Sequence, residues 1–183
     1  MKTKIGGFLG FALCIASMAA TADELATYDA QTMSLFVPAV STTDRAGAVQ
    51  NVTISYDGDD KWVVTDGWDA WLLGNSVNNV DLILKGDAPV QAYLRISGFI
   101  SPCLEVGRSA QKIVENRIYI YAYYLENDFI QSEEPLACVD SVESFEHIVP
   151  LDIYGLEAGD YEYVFNDEFV GEFSLGVENV LGE

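Results

Sequence analysis

The sequence predicts an all-β protein, a sandwich of short antiparallel strands, on three observations. The first is strict alternation. Residues 117–124 place Ile118, Ile120, Ala122 and Tyr124 on one face and Tyr119, Tyr121 and Tyr123 on the other. Successive side chains of a strand point to opposite faces, and β-branched and aromatic residues suit the pleat. The second is a pair of hairpin signals. Asp57-Gly58 stands between residues 49–56 and 61–65, and Asn166-Asp167 between residues 161–165 and 169–175. The third is the lack of a convincing helix: short apolar runs recur with turn residues between them, the pattern of a sandwich or barrel, and Greek-key sandwiches are the commoner solution.

Taken in order, the chain opens with Lys2 and Lys4, an apolar run from Ile5 to Ala16, and Ala20-Thr21-Ala22. A basic start, a short apolar core and a small-residue cleavage site make residues 1–22 a secretory signal peptide. The run is too short, and too rich in glycine, to serve as a membrane anchor. Leu13 stands where a small residue would precede a lipidated Cys14, so a lipid anchor is not expected. Cleavage leaves 161 of the 183 residues, enough for one domain or a domain with an appendage. The expected organisation is an N-terminal β-strand segment over 23–79, a sandwich over 80–176 and a tail over 177–183.

Residues 23–31 are polar and read as a loose N-terminus. Residues 32–38 form a short strand ended by Pro38. Residues 49–56 and 61–65 follow as a hairpin, with Trp62 packing against its first strand. Residues 67–79 break the pattern and read as the connection between two parts, with Trp68 and Trp71 buried where those parts meet. Residues 80–85 and 90–97 are strands. The second alternates Val90, Ala92, Leu94 and Ile96 inward against Gln91, Tyr93, Arg95 and Ser97 outward. Residues 109–116 make at most a turn. Residues 117–124, apolar on both faces, should be central. Residues 144–153 are a strand with Pro150 at an edge or bulge, and 161–175 close the fold as a hairpin.

Loss of Cys14 with the leader leaves Cys103 and Cys138, an even number in an oxidising compartment. A disulfide between them is the default reading, with two separate thiols as the alternative. Closing that loop would contribute roughly 4 kcal/mol by the chain-entropy account. Two cysteines with His147, the one histidine, are too few for structural zinc, so no metal and no cofactor is expected.

The formal charge is −20, and −22 once Lys2 and Lys4 leave. Such an acidic chain excludes nucleic acid and anionic membrane surfaces as partners, and no later stretch is long and apolar enough to span a bilayer. Periplasmic or secreted localisation follows from the leader.

The order of features from Pro89 onward resembles a group of small exported bacterial proteins of uncharacterised function. The positions that carry it are residues 89–98, Pro102-Cys103, Ala137-Cys138, Phe145-Glu146, Leu151, Gly155-Leu156, residues 158–161, residues 163–166 and residues 173–175. The resemblance implies a disulfide-containing, immunoglobulin-like antiparallel β-sandwich, here preceded by an N-terminal β-hairpin segment. It implies fold and compartment, and no activity. Residues 35–40, 49–54 and Trp62 resemble a strand module of exported bacterial proteins.

Candidate chemistry is sparse. His147 lacks the nucleophile and orienting partner that a general base needs, and no G-x-S-x-G element is present, so the chain is read as no enzyme. Asp57-Gly58-Asp59-Asp60 carries oxygen ligands suited to calcium, but Lys61 and Trp68 stand where EF-hand ligands would be. Glu126 and Asp128 with Glu133 and Glu134 are a second, minor calcium candidate. Tyr119, Tyr121 and Tyr123, extended by Trp68 and Trp71, could stack on sugar rings, although a core role is the favoured reading of these aromatics. The leading expectation is a non-catalytic interaction or structural module that docks on another envelope or extracellular protein. The alternative is a small ligand-binding module for glycans or calcium.

Overall fold

A computed structural model of the protein describes residues 25–126 and 141–182. Its strands are β1 (Thr27–Asp29), β2 (Ser34–Val40), β3 (Val49–Tyr56), β4 (Trp62–Asp69), β5 (Val77–Lys85), β6 (Gln91–Ile100), β7 (Leu104–Val114), β8 (Arg117–Glu126), β9 (Glu143–Leu151), β10 (Gly159–Phe165) and β11 (Phe169–Leu175). Among the described residues no helix is long and apolar enough to cross a membrane.

The β-sandwich expectation holds. One layer is β5-β6-β9 and the other is β11-β10-β8-β7. Between them lie Leu94 and Ile96 of β6, Ile118 and Ile120 of β8, Val149 of β9 and Phe165 of β10, all fully buried. Alternation on each strand aims these side chains inward, and each fully buried aliphatic contributes about 1.5–3 kcal/mol. On β11 the ring of Tyr163 crosses Gly171, where a Cβ would come within 2.4 Å of it. Glycine there lets the ring lie flat on the neighbouring strand.

β8 is central, as its two apolar faces require, and its β10 edge is composite. Every other named strand pair is antiparallel, but β10 runs parallel to β8 with Tyr163 beside Ile118 and Phe165 beside Ile120. A parallel neighbour needs a crossover, and the chain makes it by way of β9 in the opposite sheet. The parallel ladder stops at Asn166, whose φ of +50° turns the backbone into the β10–β11 hairpin. Its N–H donates to the carbonyl of Ile120 (2.8 Å), while its side-chain Oδ1 accepts from the N–H of Ala122 (2.8 Å). The side chain thus stands in for the carbonyl that a continuing strand would supply. Its Nδ2 is buried without a partner. Beyond it the connecting segment takes over: Leu73 N–H donates to Ala122 O (2.9 Å), and Tyr124 N–H donates to Trp71 O (2.8 Å).

β1-β2-β3-β4 form a separate antiparallel sheet. Residues 41–48 and the end of β4 anchor it to the outer face of β8 and β7. Ala46 and Ala70 are buried there with Tyr121 and Tyr123. Arg108, carried on a bulge in β7, donates to Pro38 O (2.6 Å) and to Asn51 Oδ1 (3.1 Å). Lys112 donates to Thr43 O (3.2 Å). Gly47, at φ +68°, lies so close to β7 that a Cβ would meet Ala110 Cβ at 2.5 Å.

Three expectations need correction, and the tail gains a detail. Of residues 109–116, 109–114 belong to strand β7 and only 115–116 turn, the strand's alternation being shifted in phase by a bulge at Gly107 and Arg108. Residues 27–29 pair with β2. Trp71 is 67% exposed rather than buried between two parts, since its backbone, and not its ring, makes the join. The tail beyond β11 is held by Asn179, which is buried. Its side chain accepts from Val90 N–H (2.6 Å) and donates to Val90 O and Ile153 O (2.9 Å each).

Candidate functional site

The tyrosine strip is divided by what covers it. Odd residues of β8 point away from the sandwich core, toward the segment that anchors the N-terminal sheet. Tyr121 is 3% exposed and Tyr123 fully buried, whereas Tyr119 is half-buried with the Arg117 guanidinium over its ring at 6.0 Å. Tyr123 donates to Ala46 O (2.6 Å), and Tyr121 donates to Asp167 Oδ1 (3.1 Å). Burial pushes both phenols up to about 12, and the Asp167 carboxylate adds to the effect at Tyr121. Both are neutral hydrogen-bond donors at any ordinary pH. Trp68 is half-buried in the same cluster, and Trp71 stands outside it. These five aromatics therefore do not form one open platform.

Beside Tyr119 lies an open depression of about 680 Å³ lined by Arg117, Asp160, Glu162, Glu172 and Ser174. Its cation is already engaged, with Arg117 Nε 2.5 Å from Glu162 Oε1.

The Asp57–Asp60 turn uses its oxygens internally. Asp57 Oδ1 accepts from the N–H of Asp59 (2.8 Å) and of Lys61 (3.3 Å), and Asp60 Oδ1 accepts from the Tyr56 hydroxyl (2.9 Å). Among the described residues no group of three or more His, Cys, Asp or Glu could hold a metal ion. The second acidic candidate, Glu126 and Asp128 with Glu133 and Glu134, falls outside the described side chains. His147 lies opposite Ile96 on β9, and burial lowers its pKa. Cys103 is half-buried in the turn between β6 and β7, and Cys138 lies outside the described residues.

The feature not singled out in the sequence is the N-terminal sheet's open face. Register aligns Tyr28, Leu35, Ile54 and Val64 in one row across all four strands, with Tyr56 beside Trp62 in the next. The Trp62 ring sits 5.8 Å from Tyr56 and 6.3 Å from Tyr28. Trp62 is 51% and Val64 68% exposed. The opposite face is mostly polar, with Ser34, Thr53, Ser55 and Thr65 beside Phe36 and Val63, and the Ser55 and Thr65 hydroxyls are hydrogen-bonded at 3.1 Å. The signal was present in the alternation of residues 52–56, flanked by the wholly apolar runs 35–37 and 62–64. What the alternation could not say is that, among the described residues, no second layer lies over it.

Residues 94–175 match the model of the ORF11 beta-sandwich domain. The match runs from the middle of β6 to the end of β11, under half of the chain, and supports the sandwich. No curated protein and no solved structure matches.

Proposed function

We propose that the protein is an exported, non-catalytic β-sandwich that serves as a protein-interaction module of the cell envelope or extracellular space. The open apolar face of the N-terminal sheet carries this reading. A contiguous apolar patch with aromatic residues and a polar rim is the usual mark of a protein contact surface. Here Trp62, Val64 and Tyr28 supply the patch. Export rests on the leader pattern of residues 1–22.

A Cys103–Cys138 disulfide belongs to the same reading. Leu104 pairs with Glu126, so Cys103 adjoins the point from which the chain leaves β8 toward Cys138. An immunoglobulin-like lineage is supported by the division into β5-β6-β9 and a second sheet ending in the β10–β11 hairpin. The parallel β8–β10 pair departs from that plan.

The test is a photoreactive residue placed at Val64 or, as the control, at Ser55 on the polar face, in cells that export the protein. A discrete crosslinked partner from position 64 and none from position 55 is expected. Equal labelling from both positions, or none from 64, overturns the reading. The intact mass of the exported chain checks cleavage after Ala22 and the two-proton loss of a disulfide.

A further inference from the structure

The open face ends at an open edge. β4 pairs only with β3 among the described residues, and Trp62, Val63, Val64 and Thr65 are all exposed. The direction of the backbone groups along this edge follows from the ladder. Asp57 N–H donates to Lys61 O (3.0 Å), and the register then sets Tyr56 opposite Trp62, Ser55 opposite Val63 and Ile54 opposite Val64. Hydrogen-bonded and non-hydrogen-bonded pairs alternate in an antiparallel ladder. Lys61 and Val63 therefore turn their amides toward β3, and Trp62 and Val64 turn theirs away from it. The residues whose side chains line the apolar face are the same ones whose N–H and C=O groups face solvent at the edge. Folded proteins ordinarily blunt such an edge with proline, charge or a covering loop. Trp62-Val63-Val64 has none of these within it.

We propose that the outer edge of β4 accepts an extended segment of a partner protein as a fifth strand, apolar at alternate positions and carrying lysine or arginine at its ends. This rests on the N-terminal sheet being the contact surface, and specifies how it is used. Added strands gain main-chain hydrogen bonds along the edge and side-chain contacts at every second residue. Here the second set of contacts would fall on Trp62, Val64 and the row behind them.

Charge selects the occupant. Exposed carboxylates bracket the edge, Asp59 and Asp60 at the hairpin tip and Asp66 and Asp69 at the far end, with Lys61 as the lone cation between them. A second copy of β4 paired antiparallel about Val64 would set Asp59 opposite Asp69 at both ends, and one paired about Val63 would set Asp60 opposite Asp66. Like charges directly opposite one another destabilise a pair, and each copy carries the acidity of the whole chain. Basic ends on the incoming strand turn the same positions attractive.

The experiment uses residues 23–183, oxidised, and a dye-labelled synthetic peptide alternating valine and threonine between lysine pairs. Binding is read by fluorescence polarisation. Comparison peptides carry glutamate ends or N-methylated amides on the edge-facing residues. Val64→Pro removes the outward N–H at the kind of edge position where proline is tolerated, and Trp62→Ser removes the central ring of the face. Saturable binding of the lysine-ended peptide is expected. It should weaken tenfold or more with Val64→Pro or with N-methylation, and fall as salt rises.

Equal binding by Val64→Pro and wild type, with loss in Trp62→Ser, overturns the edge proposal and leaves the face as a contact surface. No binding of the lysine-ended peptide also overturns the edge proposal, and the position-64 crosslink then decides the broader reading separately. Equal binding of glutamate-ended peptide overturns the choice of a basic partner. A concentration-dependent dimer that Val64→Pro abolishes would assign the edge to a second copy instead. Should Val64→Pro melt below the wild type, the N-methylated peptide alone carries the edge test.

Discussion

The sandwich and the N-terminal sheet are written in the same alphabet and reach opposite outcomes. Both alternate β-branched and aromatic residues with polar ones. In the sandwich, the apolar face of β5-β6-β9 meets that of β11-β10-β8-β7, and Leu94, Ile96, Ile118 and Ile120 lose all contact with water. In the N-terminal sheet the equivalent face, with Leu35, Ile54, Trp62 and Val64, meets no second layer among the described residues. Alternation decides which face a side chain takes, and only a partner layer decides whether that face is dry. The N-terminal sheet is held instead along one border, by Ala46, Gly47 and Ala70 against β8 and by Arg108 from β7.

This contrast can be broken most forcefully at the centre of the sandwich. Ile120→Ala should cost about 2–5 kcal/mol in chemical denaturation, because the cavity lies between two packed sheets. A cost under 1 kcal/mol would mean that the two layers do not form one core. Asn179→Ala should cost about 2–3 kcal/mol, since the part-buried Val90 N–H and the carbonyls of Val90 and Ile153 lose their side-chain partners together. Amide exchange at Val90 should rise in that variant.

The border between the two regions is tested by Tyr123→Phe, which leaves the Ala46 carbonyl without its donor and should cost about 1–3 kcal/mol. The same phenols give the border a pH signature. Their folded pKa values, about 12, lie above the unfolded value near 10. Their contribution is therefore fully present below pH 10 and is lost as pH rises toward 12, where the unfolded chain ionises first. Double replacement of Tyr121 and Tyr123 by phenylalanine should flatten that alkaline limb in a melting-temperature profile. Smallest of all, Val64→Ser should shift stability by no more than about 0.5 kcal/mol, the behaviour of an exposed site. A loss comparable with Ile120→Ala would show that something in this chain covers the face.

The sequence announced most of the sandwich because its strands keep a clean phase. Residues 90–97 and 117–124 alternate without interruption, and Asp57-Gly58 and Asn166-Asp167 turn where their backbone permits. β7 escaped notice because, past its bulge at Gly107-Arg108, its core side carries Ser109 and Gln111 before Ile113, so no apolar alternation continues. β1 is only three residues long and polar, too short to show any period. The aromatic candidates show a further limit. Period two placed Tyr119, Tyr121 and Tyr123 together, but residues distant in sequence cover Tyr121 and Tyr123 and leave Tyr119 half-buried at the rim of the same cluster. Nothing local marks Asn179, whose partners sit 89 and 26 positions away.

The composite edge of β8 bears on how protein families are delimited. The stretch shared with the ORF11 beta-sandwich domain, residues 94–175, begins partway along β6. It omits β5, which pairs with β6, and it omits Leu73, whose N–H satisfies Ala122 O. A boundary drawn where sequence similarity fades therefore cuts through two hydrogen-bonded ladders. Excising 94–175 as a recombinant unit would leave one side of β6 and the upper reach of β8 open. The stretch that matches the family and the stretch that completes the β8 hydrogen bonds are different lengths of chain, and the second reaches back to Trp71.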